Sequence, residues 1–165
     1  PDMKDYFESK LKLFEMCDNG IINVDDFKLY NQLYGVKEAD EALKKIAVVL
    51  QASVGDQGYV ARYSGKEFAI LLPKYDVYAA KVLTESILKQ IRDINKAPID
   101  GYKMQTITCS AGISVAPYGA KTVKELLDNA DMAVFHVKHK GKNGIMVFDT
   151  FLEGEKTEQK KHESV

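Results

Sequence analysis

The sequence predicts an α/β sandwich built on a mixed central sheet. Three observations carry that expectation. Short apolar, strand-like runs stand at Ile21 to Val24 and Ile145 to Phe148. Long segments with apolar residues at helical spacing lie between the strands. A single hairpin interrupts the alternation midway, with Gly65 at its turn. Strands separated by helices bury both faces of a sheet, and one hairpin adds an antiparallel pair to it.

In chain order, Phe7, Leu11 and Phe14 recur at helical spacing, so Asp2 to Cys17 reads as a helix broken by Gly20. Ile21 to Val24 follows as a short buried strand. Asp25 or Asp26 is positioned to cap a helix running through Tyr34, which Gly35 ends. Ala39 to Val54 carries Ala42, Leu43, Ile46, Val49 and Leu50 on one face, the pattern of an amphipathic helix. Tyr59 to Tyr63 and Glu67 to Leu72 are paired strands, joined by the turn Ser64, Gly65, Lys66 and closed by Pro73. Val77 to Ile94 is a helix with Ala80, Leu83, Ile87, Leu88 and Ile91 inward. Lys103 to Ala116 reads as one long strand, with Met104, Thr106, Thr108 and Ser110 alternating against Gln105, Ile107 and Cys109. Val123 to Lys140 is a helix stopped by Gly141, and Ile145 to Phe148 is the last strand.

The composition is that of an ordinary globular domain: 165 residues, 45% hydrophobic and 28% charged. A net charge of -1 advertises no broad basic surface, so nucleic acid is not an expected partner. No apolar run approaches the ~20 residues of a membrane span, and no signal peptide is visible. Cys17 and Cys109 are too few for a disulfide framework and are expected as buried free thiols, as in a reducing cytosol. His136 and His139 have no cysteine or acid at metal spacing and are expected to be solvated. The chain begins at Pro1 and reads as a piece of something longer, with a domain over 1–150. Residues 151–165 are strongly charged, a linker or the start of a helix leading to a further domain.

The hairpin reads Arg62-Tyr63-Ser64-Gly65-Lys66-Glu67-Phe68, followed by Ala69-Ile70-Leu71-Leu72-Pro73. It resembles the GGDEF signature of diguanylate cyclases: an Arg-Tyr lead, a five-residue motif, then an apolar strand ending in Leu-Pro. Three further segments resemble that family in the right order. Asn23-Val24-Asp25-Asp26-Phe27-Lys28, with Asn31, Gly35 and Asp40, is similar to its first strand and nucleotide helix. Thr108-Cys109-Ser110-Ala111-Gly112-Ile113 is similar to its Thr-x-Ser-x-Gly strand. Ala130 to Phe135, with Lys138 and Gly141-Lys142-Asn143, is similar to its closing helix and basic turn.

The resemblance implies a three-layer sandwich of the nucleotidyl-cyclase and polymerase-palm kind, with helices flanking a mixed sheet. Active members join two GTP molecules into cyclic di-GMP across a dimer, each 3'-hydroxyl attacking the other nucleotide's α-phosphate. Acids on the first strand and in the hairpin turn hold the magnesium. Here the first acid's position is Asn23 and the second, the third letter of the signature, is Lys66; the first glycine is Ser64. Magnesium favours anionic oxygen ligands. An amide is a weaker ligand, and a protonated lysine is none. A cation about 4 Å from a divalent ion costs roughly 8 kcal/mol at an effective dielectric near 20. Glu67 remains, but adjacent strand residues point to opposite faces, so it faces differently from Lys66. No catalytic residue is therefore expected, and magnesium binding is expected to be weak or absent. The family's product-feedback element, Arg-x-x-Asp, falls on Gly55-Asp56-Gln57-Gly58, where neither partner is present.

Other positions retain family chemistry. By the resemblance, Asn31 and Asp40 stand where the guanine edge is read. Lys28, Arg62, Lys138 and Lys142 stand where phosphates are contacted. Lys142 keeps the charge of the usual arginine but loses its fork. GTP is thus an expected ligand, with no other cofactor. The expected role is a catalytically silent, regulatory or dimerising module in bacterial cyclic di-GMP signalling. Its expected partners are a second copy and a neighbouring signalling domain such as a cyclic di-GMP phosphodiesterase. It is expected to lie in the cytoplasm without touching the membrane, even if its parent is anchored there. The alternatives are an active diguanylate cyclase and a protein-interaction scaffold without nucleotide.

Overall fold

The computed structural model describes residues 17–94, 98–99, 102–103, 106–116 and 122–148. Its strands and helices, numbered in chain order, are β1 (Cys17–Val24), α1 (Phe27–Val54), β2 (Tyr59–Ser64), β3 (Glu67–Pro73), α2 (Val77–Arg92), β4 (Pro98–Ile99), β5 (Tyr102–Lys103), β6 (Cys109–Ala116), α3 (Val123–His139) and β7 (Ile145–Val147). Five strands form one sheet in the order β2-β3-β1-β6-β7. The β2–β3, β3–β1 and β1–β6 pairs are antiparallel and β6–β7 is parallel, so the sheet is mixed, as the sequence predicts.

The central strand β1 explains the layering. Successive strand residues point to opposite faces. Ile22 and Val24 enter one core with Ile46 and Leu50 of α1 and Ile87 and Ile91 of α2. Ile21 enters the other, with Leu71 of β3 and Leu127, Ala130 and Val134 of α3. Helices thus cover both faces, giving the expected three-layer sandwich. Each fully buried aliphatic side chain contributes about 1.5–3 kcal/mol. On the α3 side the approach is closest at Gly112, where a Cβ would stand 2.1 Å from the Ala130 carbonyl oxygen. Asp76 caps α2 by accepting the Ala79 N–H at 2.7 Å, and Thr122 caps α3 by accepting the Glu125 N–H at 3.1 Å.

Several boundaries differ from the sequence expectation. Cys17 begins β1 instead of ending a helix, and residues 2–16 of that expected helix lie outside the described residues. Gly20 does not break an element: it sits within β1, opposite Ile70 and Ile113. Strand pairing on both sides overrides its weak strand propensity. Gly35 does interrupt the helix, at φ 88 and ψ 165, but helical structure resumes at once, so α1 is one kinked element. Asp26 precedes α1 in the left-handed region, at φ 52, without a side-chain cap.

The expected long strand from Lys103 starts only at Cys109. The β1 ladder ends at the Val24–Cys109 pair, so Thr106 to Thr108 have no strand to follow. Tyr102–Lys103 pairs with Pro98–Ile99 in a separate ribbon. His136 is buried, contrary to expectation, because it lies one turn on from Ala133 on the inner side of α3. His139 is exposed, its ring centroid 4.2 Å from that of Phe135. Cys109 is a buried free thiol; the Cys17 side chain and residues 151–165 lie outside the described residues.

Candidate functional site

The ends of β1, β3 and β6, the start of α1, and the loop after α3 meet at one edge of the sandwich. The Val24 N–H donates to the Lys66 carbonyl at 3.0 Å, tying the hairpin turn to the end of β1. Asn23 lies opposite Glu67 on one side and Ser110 on the other. Directly opposed strand residues share a face. Asn23, Glu67 and Ser110 are therefore neighbours on the α3 side. The Asn23 amide oxygen is buried without a hydrogen-bond partner. Glu67 accepts the Ser64 hydroxyl at 3.0 Å, and Lys66 is exposed at the turn. Among the described residues, no cluster of three or more His, Cys, Asp or Glu side chains could hold a metal ion.

Asp25 is the centre of this edge. Its side chain is 2% exposed. Oδ1 accepts the Ser110 hydroxyl at 2.6 Å and stands 3.0 Å from the Lys138 ammonium. Oδ2 accepts the Thr108 hydroxyl at 2.8 Å and the Asn143 N–H at 3.0 Å. Burial pushes its pKa up, but hydrogen bonds from Ser110, Lys138 and Thr108, with the charge of Lys138, outweigh that and hold the carboxyl below its usual value. Lys138 also donates to the Val24 carbonyl at 3.3 Å. Asp26 pairs with Lys142 at 2.5 Å, an exposed contact that raises the lysine's pKa.

Three of the four basic residues expected at phosphates are thus already engaged in the fold. Arg62 donates to the Ser64 and Gly65 carbonyls at 3.2 and 2.7 Å, closing the hairpin turn. Lys138 and Lys142 lie on Asp25 and Asp26, and Lys28 is exposed on the first turn of α1. The guanine-edge pair is divided. Asp40 lines a groove of about 420 Å³ with Leu43, Lys44, Ala47, Arg62 and Phe68, between α1 and the hairpin. Asn31 is not among the groove's lining residues, yet its amide oxygen is buried without a partner. The Gly55–Gln57 turn lies beside a second groove, of about 340 Å³, lined by Asp56, Gln57, Tyr59 and Lys74 among others.

Sequence reasoning misses the role of Asp25, which it offers only as a helix cap. The partners Thr108 and Ser110 lie 83 and 85 residues away. Only the β1–β6 pairing brings them together. The one available signal is a pair of adjacent acids at a strand end, more than a cap needs.

The sequence profile described as "Diguanylate cyclase, GGDEF domain" matches residues 19–144, most of the chain and all of this site. The chain belongs to the GGDEF-domain family. Among its relatives is MucR of Pseudomonas aeruginosa, a bifunctional diguanylate cyclase and cyclic di-GMP phosphodiesterase. It is 32% identical over 84% of this chain and 20% of its own length. The cyclic di-GMP phosphodiesterase NbdA of the same organism is 28% identical over 79% of this chain and 16% of its own length. Among solved structures, the GGDEF domain of YfiN (TpbB) from Pseudomonas aeruginosa superimposes with a TM-score of 0.80 at 27% identity, covering 94% of each chain. This chain therefore spans about a fifth or less of MucR and NbdA but nearly all of an isolated GGDEF domain.

Proposed function

We propose that this GGDEF domain is a catalytically silent regulatory module of cyclic di-GMP signalling that binds GTP without magnesium. The observation that carries the reading is the hydrogen bond between Val24 N–H and the Lys66 carbonyl. It brings an ammonium-bearing residue to the strand end where Asn23 stands, the two positions at which the family resemblance expects magnesium-binding acids. The donor set there is a neutral amide, one carboxylate held by Ser64, and a lysine turn, while the Val24 carbonyl faces the Lys138 ammonium. That set does not suit a hard divalent cation, which needs anionic oxygens. Lys66 instead supplies positive charge where a triphosphate would need it, with Lys28, Lys138 and Lys142 around the end of β1 and the start of α1, and Asp40 at the groove for the base.

NbdA, a relative named for phosphodiesterase activity alone, supports a partner domain of that kind. A second copy and a larger parent protein complete the reading. No helix among the described residues is long and apolar enough to cross a membrane. A role with GTP as ligand goes with a cytoplasmic location.

Calorimetric titration with GTP, in excess chelator and then in magnesium, tests the proposal, with an assay for cyclic di-GMP on the same sample. Binding in chelator with no product is the expected result. Formation of cyclic di-GMP would establish an active cyclase instead. Absence of heat under both conditions would leave a scaffold without nucleotide.

A further inference from the structure

Asp25 gathers four donors from three parts of the chain: Thr108 just before β6 with Ser110 within it, Lys138 on the last turn of α3, and the Asn143 backbone in the loop beyond. That loop carries Lys142. It passes through three successive residues with positive φ, Gly141 at 121, Lys142 at 65 and Asn143 at 51. Non-glycine residues hold such a conformation only where surrounding contacts over-determine it. Asn143 is held twice, because Arg92 of α2 also donates to its side-chain oxygen at 3.1 Å.

We infer that Asp25 is a positioning residue for the triphosphate: its one buried carboxylate sets both Lys138 and, through Asn143, the loop bearing Lys142. The inference rests on the nucleotide reading above and adds a division of labour to it. The Asp25–Lys138 pair is buried at its carboxylate end, and Lys138 is also tied to the Val24 carbonyl, so the ammonium is held from two sides. The Asp26–Lys142 pair is exposed, and an exposed pair yields at little cost to an incoming phosphate. A loop ordered in advance spares the ligand the entropy of ordering it. Arg92 reinforces the loop from its far side.

The test compares Asp25→Asn and Arg92→Ala with the native protein in two measurements. The first is affinity for GTP against affinity for guanosine, which shares the base but has no phosphates. A positioning role predicts a ten- to hundredfold loss for GTP in Asp25→Asn and a smaller loss, three- to tenfold, in Arg92→Ala. Guanosine affinity stays unchanged in both. A merely structural role lowers both affinities together. A rise in GTP affinity in Asp25→Asn overturns the proposal, since Asp25 would then be holding Lys138 away from the ligand.

The second measurement needs no ligand: amide hydrogen exchange at residues 141–144. Faster exchange there in both variants, with β1 and β6 unchanged, is expected. Unchanged exchange overturns the positioning role itself. Native protein that binds neither GTP nor guanosine overturns the nucleotide reading and the phosphate half of this inference, while the exchange result still decides what orders the loop. Arg92→Ala, on the surface of α2, serves if Asp25→Asn does not fold.

Discussion

Asn23 stands directly opposite Glu67 across the β1–β3 ladder, so their side chains share the face covered by α3. An acid at position 23 would therefore be a neighbour of an existing carboxylate, and an acid at 66 would replace the ammonium at the turn. The double variant Asn23→Asp, Lys66→Asp is expected to gain magnesium-dependent GTP affinity by at least about tenfold, equivalent to roughly 1.4 kcal/mol. Lys66→Asp alone should lose the binding expected in chelator. Calorimetry with and without magnesium checks both. Equal affinities for the double variant and the native protein would mean the pocket has diverged beyond these two positions.

Much of this edge is legible in the amino-acid sequence, and what is not shares one cause. Ser64 to Phe68 declare the hairpin because turn chemistry is local, and Ile46, Leu50, Ile87 and Ile91 declare helices because their spacing is local. Asp25 cannot be read that way, since its meaning lies in Thr108, Ser110 and Asn143, brought to it by strand order. His136 misleads for the same reason: polarity suggests solvent, but its place one turn from Ala133 puts it inside. The Thr106 to Thr108 alternation suggests strand, but β1 has already ended. The motif draws Lys138 and Lys142 together, while their pairing with Asp25 and Asp26 is invisible in it.

The closest approach of helix to sheet gives a stability prediction. A methyl group on Gly112 would meet the Ala130 carbonyl oxygen at 2.1 Å and the Val134 nitrogen at 2.9 Å. Both are helix backbone and cannot swing aside, so α3 must back away from β6. Gly112→Ala is expected to cost about 3 kcal/mol, the upper end of ordinary overpacking. At Gly20 the nearest atom to an added Cβ is 3.9 Å away. Gly20→Ala should be neutral or stabilising by about 0.5 kcal/mol, through the lower entropy of its unfolded chain. Urea midpoints at constant m-value compare the two. Equal destabilisation would refute the close-packing account.

Cys109 should be chemically silent in the folded protein. It is 1% exposed. Burial, and secondarily the nearby charge of Asp25, pushes its thiol well above the usual range. The thiolate is the reactive form. In a Cys17→Ala background, iodoacetamide is expected to leave the native protein unmodified over hours at pH 8 and to alkylate it fully once urea unfolds it. Mass spectrometry reads the single adduct. Modification at equal rates with and without urea would show that β6 is accessible.

Tyr63 predicts how stability responds to high pH. Its hydroxyl donates to Asp131 at 3.3 Å. Burial, then the charge and hydrogen bond of Asp131, push its pKa from 10.0 to about 12. The folded state thus keeps the phenol proton over a range in which the unfolded chain releases it. Stability contributed by this proton is fully present below pH 10 and is lost as pH rises toward about 12. Other tyrosines titrate in the same range, so the informative quantity is a difference between proteins. Tyr63→Phe has no proton to lose, and its urea midpoint should fall less than that of the native protein between pH 9 and 11.5. Because Tyr63 is only half-buried, the difference should be small but should persist at high salt, where exposed charges are screened. Parallel pH dependences for the two proteins would mean that Tyr63 is neither buried nor in contact with Asp131 in solution.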